Sequence, residues 1–127
     1  MVKQLGDFLA RIARRKEDGE YEEALDEIDA AWDELLGRDA ELFRSLDPAT
    51  LTGLCRHREK AKAVARLCCE EADVCALQGD IAGARLFYER ARAIYSRSLE
   101  DYPAREDDSE TVAAIVEIDR GLAGITP

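Results

Sequence analysis

Proline is scarce in this chain, three in 127 residues, and histidine and tryptophan occur once each. β-Branched residues are sparse beside Ala, Leu, Glu, Asp and Arg. Straight-chain side chains lose little rotamer freedom in a helix and alanine loses none, so this balance predicts helix throughout. No apolar run approaches the roughly 20 residues that a membrane-spanning helix requires. An apolar leader segment is also missing, because MVKQLGDFLARIARR carries Asp7 and a basic run where one would lie. The expectation is a cytoplasmic protein whose four cysteines are reduced thiols. No Cys-x-x-Cys pair, no ExxH pair of the helical di-metal kind and no glycine-rich phosphate loop occurs. A catalyst, a metal and a cofactor are therefore not expected.

Charge of one sign is in excess. The net charge is −10, which disfavours nucleic acid as a partner, since binding phosphate needs cations to release counterions. Anionic membrane surfaces are disfavoured for the same reason. The charge falls in blocks: residues 1–16 carry five basic and one acidic side chain, 17–54 two and thirteen, 55–66 five and one, and 67–127 six and thirteen. Such alternation can pair within the fold or between copies of it. The densest basic run, Arg56, His57, Arg58, Lys60, Lys62 and Arg66, is the candidate interaction patch. Glu17 to Asp33 is its expected intramolecular or symmetric partner.

What the chain has in plenty is helical periodicity. Residues 2–17 place Val2, Leu5, Phe8, Leu9, Ile12 and Ala13 on one stripe, and Asp18-Gly19 is a turn. A second helix, Glu20 to Leu36, buries Tyr21, Ala24, Leu25, Ile28, Ala31, Trp32, Leu35 and Leu36, with acids crowding its N-terminal half where the helix dipole favours them. Asp39 to Leu46 reads as a short helical turn with Leu42, Phe43 and Leu46 inward. Asp47-Pro48 starts a helix that runs to Gln78 with a break near its middle. Gly79-Asp80 turns into a helix from Ile81 to Asp101, with Ile81 on its buried stripe, and Tyr102-Pro103 stops it. After a polar linker, Ser109 to Leu122 forms a last helix with Val112, Ile115, Val116 and Leu122 inward. The fold class is all-α, five to six helices: residues 1–103 form one helical domain, and 104–127 a linker and a helix that packs on it or extends it.

The two glycine turns align. With Gly19 on Gly79, Tyr21 meets Ile81, Ala24 meets Ala84, Ile28 meets Tyr88 and Ala31 meets Ala91. On these residues, with Glu23 and Asp80, the chain resembles the tetratricopeptide repeat, a helix–turn–helix unit. The copies lie 60 positions apart, where an uninterrupted array repeats at about 34, which implies a helical connector between two hairpins. Asp18 to Gly37 and Gln78-Gly79-Asp80 also resemble the EGxYEEALxEIDxALxELLG segment and QGD turn of a family of small uncharacterised bacterial helical proteins. That resemblance covers residues 2–102 and implies a tetratricopeptide-like fold with no established activity.

The resemblance implies a non-catalytic interaction module, self-associating or holding a protein or peptide on the surface lined by the first helix of each pair. By the alignment those positions are Leu9, Ala13 and Lys16, then Arg66, Cys69, Asp73 and Ala76. The Lys/Asn pattern that clamps a peptide carboxylate in chaperone-binding members is absent. Trp32, Tyr95 and Tyr102, if exposed together, would mark a self-association surface. The alternative is a thiol- or metal-dependent protein using Cys55, His57 and Cys69, although adjacent Cys68 and Cys69 point about 100° apart on a helix.

Overall fold

The computed structural model describes residues 2–102 and 104–125, with the side chains of residues 2–4 outside that description. The inward placement of Val2 and the stop at Pro103 therefore lie outside the described residues. Five long helices carry the fold: α1 (Val2–Glu17), α2 (Tyr21–Leu36), α5 (Arg58–Leu77), α6 (Ile81–Asp101) and α7 (Asp108–Ile125). Two short ones, α3 (Ala40–Ser45) and α4 (Pro48–Cys55), connect α2 to α5, with a 3-10 turn at Gly37–Asp39 before them. Among the described residues there is no strand, and the protein is all-α.

The glycine turns build two hairpins in the same way. Gly19 and Gly79 take φ of 73° and 82°, a region that a side chain disfavours. At the first, Glu20 N–H donates to Arg15 O (2.8 Å) and Gly19 N–H to Lys16 O (3.2 Å). At the second, Asp80 donates to Cys75 O (2.8 Å) and Gly79 to Ala76 O (3.1 Å). This paired pattern satisfies the last carbonyls of α1 and α5 and reverses the chain. Helix α2 packs back on α1 and helix α6 on α5, and α2 against α5 joins the hairpins. The aligned alanines, Ala24 and Ala84, Ala31 and Ala91, are all fully buried, where their size lets helices approach.

Helix α5 is the centre of the stack, touched by α1, α2, α4, α6 and α7. Its Ala61, Val64, Ala65, Leu67, Cys68, Ala72 and Val74 join Ile12, Ile28, Trp32, Leu51 and Ile94 in the core. Each large apolar side chain there contributes about 1.5–3 kcal/mol of transfer free energy. The break in the predicted long helix falls at Arg56 and His57. Arg56 takes φ 65° and ends α4. Asp47 accepts from Thr50 N–H (3.1 Å) to cap the start of α4, with Pro48 in its first turn.

Several inward expectations are corrected. Leu42 is 61 % exposed, Val112 51 %, Val116 44 % and Ile81 41 %, and Ala13 is also exposed. In α7 only Thr111 and Ile118 are buried, so its contact stripe is rotated from the one expected. Apolar residues occur on more than one side of that helix, and periodicity alone does not choose between them. Trp32 and Tyr95 are buried and Tyr102 is half-buried, so these aromatics do not form an exposed surface.

Candidate functional site

Lys16 lies three residues before the Gly19 turn, at the end of α1. That placement carries its ammonium group to the middle of α5. Lys16 Nζ donates to Glu70 Oε2 (2.6 Å) and to Asp73 Oδ2 (3.2 Å). One turn back on α5, Arg66 Nε donates to the other oxygen of Glu70 (3.1 Å). Glu70 is thus held between two cations and is only 5 % exposed. Tyr88 of α6 donates its hydroxyl to Asp73 Oδ1. The chain ties α1, α5 and α6 with one polar network, and a buried carboxylate needs such partners.

Burial pulls the Lys16 pKa down, but its bonds to Glu70 and the charges of Glu70 and Asp73 outweigh that and raise it. Burial, with the bond to Asp73, raises the Tyr88 phenol well above its ordinary value. Burial pushes the Cys69 thiol up to about 12. At neutral pH the network therefore presents a charged amine, a neutral phenol that donates, and a neutral thiol. It presents neither thiolate nor phenolate, and so no activated nucleophile of those kinds.

Beside this network lies a cleft of about 530 Å³ between α5, α6 and α7. Arg66, Cys69, Glu70 and Asp73 form one wall, Tyr88 and Tyr95 a second, and Ala114, Glu117, Ile118, Arg120 and Gly121 the third. A shallower depression of about 440 Å³ shares Asp73 and Tyr88 and runs past Lys16, Ala76 and Leu77 toward the end of α1. Gly121 stands over Tyr88: a Cβ there would meet the ring at 3.3 Å. Of the seven positions expected to line a groove, Arg66, Cys69 and Asp73 line the first hollow and Lys16, Asp73 and Ala76 the second. Leu9 and Ala13 line neither.

The six basic residues of the candidate patch are divided. Arg58 is only 3 % exposed. It donates to Asp108 Oδ1, its guanidinium lies 3.8 Å from Asp107 Oδ1, and it also reaches the Tyr102 carbonyl (3.3 Å). Lys62 donates to Asp107 Oδ2 (3.3 Å), and Arg66 belongs to the cleft. Arg56 and His57 face solvent and Lys60 is half-buried. Among the described residues the acids seen to meet this run are Glu70 of α5, at Arg66, and Asp107 and Asp108, in the α6–α7 connection and at the start of α7; the expected partner was Glu17 to Asp33. Arg105, donating to Glu59 (2.8 Å), completes a clasp between the start of α5 and the approach to α7.

The four thiols are free, with Cys55, Cys68 and Cys75 buried and Cys69 half-buried. Among the described residues no group of three or more His, Cys, Asp and Glu side chains is placed to hold a metal ion. Among the described residues no helix is long and apolar enough to cross a membrane. Sequence reasoning missed Glu70 and Tyr88 as site residues. Glu70 carries no sequence signal beyond its place beside Cys69, and Tyr88 reads as a core residue aligned with Ile28. Comparison with family models, with curated proteins and with solved structures finds no match to this chain.

Proposed function

We propose that this protein is a non-catalytic interaction module of tetratricopeptide-like type, acting in the cytoplasm, which holds an extended segment of a protein partner in the cleft between α5, α6 and α7. The observation that carries the reading is the meeting of two independent lines. Positions chosen by repeat alignment as groove-lining, Arg66, Cys69 and Asp73, line the 530 Å³ cleft, and Lys16 and Ala76 its shallower continuation. The cleft combines apolar and aromatic walls with a few fixed polar groups, a mixture suited to orienting a bound chain.

The test is panning of a displayed random-peptide library on the folded chain. Selected peptides are expected to bind the wild-type protein and to lose at least about tenfold, roughly 1.4 kcal/mol, on Gly121→Leu, which fills the space over Tyr88, and on Arg66→Ala. Failure to select any binder, or binders indifferent to both substitutions, overturns the reading.

A further inference from the structure

The acids that face the cleft between α5, α6 and α7 all have partners. Glu70 accepts from Lys16 and Arg66, Asp73 from Lys16 and Tyr88, and Glu117 from Arg120. Two other groups keep capacity to spare, and both are donors. A guanidinium carries five N–H bonds. Arg66 uses Nε–H on Glu70, and its two terminal nitrogens make no hydrogen bond among the described residues. Its side chain is 53 % exposed and lines the cleft. Tyr95 lies on the facing helix α6, lines the same cleft and is only 6 % exposed. Its hydroxyl makes no hydrogen bond among the described residues, yet it is not sealed inside the core. A buried phenol ordinarily finds a partner for its O–H. Here the partner has to enter the cleft.

The unspent groups select the class of ligand. Arg66 stays charged at any working pH. Burial raises the Tyr95 phenol above its ordinary value, against the pull of the nearby Arg66 charge, so it stays a neutral donor. Four N–H bonds in a planar fork, with one O–H beside them, suit an acceptor and neither a cation nor an apolar side chain. A planar anion with two oxygens matches the fork in two parallel bonds. Each acid of the walls is already held by a cation, Glu70 by two, so an incoming anion meets no unpaired charge of its own sign there. We propose that Arg66 and Tyr95 form a carboxylate subsite of the cleft. The terminal nitrogens of Arg66 donate to both oxygens of the ligand carboxylate, and the Tyr95 hydroxyl donates to one of them. The subsite deepens the peptide-cleft reading and rests on it for the source of the acid: an Asp or Glu side chain of the bound segment, or its carboxyl terminus.

The first probe is acetate, titrated into the full chain at constant ionic strength and followed by magnetic resonance, with acetamide as its neutral counterpart. The Arg66 guanidinium and Tyr95 ring signals are expected to move saturably with acetate and not with acetamide. Half-saturation on the order of 10 mM suits so few charge-assisted bonds. Arg14 and Arg38 are exposed and form no ion pair among the described residues, so they report binding to any free guanidinium. Tyr95→Phe removes a hydroxyl that has no partner in the chain. Its thermal melt is expected to match the wild type, while acetate affinity falls about fivefold. Arg66→Lys keeps the charge without the fork and is expected to lose about tenfold.

The second probe is the set of panned peptides, made synthetically. A loss of about tenfold, roughly 1.4 kcal/mol, when an acidic side chain of the peptide is replaced by its amide identifies a side-chain source. The same loss when the carboxyl terminus is amidated identifies the terminus. Acetate that moves Arg66 and Tyr95 no more than Arg14 and Arg38, an adventitious ion only, overturns the proposal. So does an acetate affinity that Tyr95→Phe leaves unchanged, and so do cleft-bound peptides indifferent to both changes of acid. Such peptides, if still lost on Gly121→Leu, would leave the cleft reading standing without the subsite. Saturable acetate at Arg66 and Tyr95 with no peptide selected would remove the peptide reading and support the subsite alone.

Discussion

With Gly19 laid on Gly79, the hairpins α1–α2 and α5–α6 close with the same two backbone bonds and bury the same pairs of alanines. Their first helices then diverge. Where α5 has Arg66, Cys69, Glu70 and Asp73 lining the cleft, α1 has Gly6, Leu9, Ala10 and Ala13. Helix α5 lies between two layers and α1 has a layer on one side only. The turn and the small residues make a hairpin anywhere in the stack. The hairpin enclosed on both sides gains walls, and its polar side chains line a cleft, held there by Lys16 from the end of α1.

The largest expected effect tests that contrast. Glu70→Ala leaves Lys16 and Arg66 facing each other without their shared acid, and should lower the unfolding free energy by about 3 kcal/mol. The aligned change, Ala10→Glu, sits on an exposed face and should shift it by less than about 0.5 kcal/mol. Urea titration of both variants reads the difference, and equal losses would erase the distinction between the hairpins.

Alkaline pH separates the helices next. Burial pushes Cys68 and Cys69 of α5 up to about 12, from 9.0, whereas the aligned Phe8 and Leu9 of α1 do not titrate. A raised folded-state pKa contributes stability that is complete below the unfolded value and is lost as pH rises toward the folded one. The unfolded chain releases these protons first, so stability should fall by about 3 kcal/mol between about pH 8 and about pH 10. Cys69→Ala should flatten that fall, measured as the urea midpoint against pH.

The turns should behave alike. Gly19→Ala and Gly79→Ala each place a Cβ in open space but at positive φ, and each should cost about 1–2 kcal/mol. Thermal melts differing by more than a few degrees between the two would show that the turns are not equivalent.

The smallest effect sharpens a difference between them. Asp80 accepts from Gly83 N–H (2.9 Å) to cap α6, while the aligned Glu20 makes no side-chain cap on α2. A Cβ on Gly83 would lie 2.4 Å from the Asp80 carboxylate. Gly83→Ala therefore trades about 1 kcal/mol of helix propensity against about 1 kcal/mol of cap, and should be nearly neutral. In an Asp80→Ala background the same change should stabilise, as a double-mutant cycle would measure.

Much of this fold was legible in the chain. The glycine turns, the aligned alanines, the Asp47-Pro48 start and the break before Arg58 are local signals, each carried by a few neighbouring residues. What was not legible depends on partners far along the chain. Arg58 read as one of a basic run because Asp108, which neutralises it, lies 50 positions away. Glu70 carries no mark in the sequence because Lys16, which holds it, lies 54 positions away. Leu42, Val112 and Val116 read as core because periodicity identifies an apolar side but not whether a neighbour covers it. The repeat alignment picked out Arg66, Cys69 and Asp73, which line the cleft, and it also picked Leu9 and Ala13 on α1, which have no third layer to make a wall.

The most direct test of the cleft as the binding surface is amide chemical-shift mapping of the folded chain with a panned peptide. The account predicts shifts concentrated at residues 66–73 of α5, around Tyr88 and Tyr95 of α6, and along the Ala114 to Gly121 side of α7. Shifts confined to α2, α3 and α4, with those residues unmoved, would contradict it.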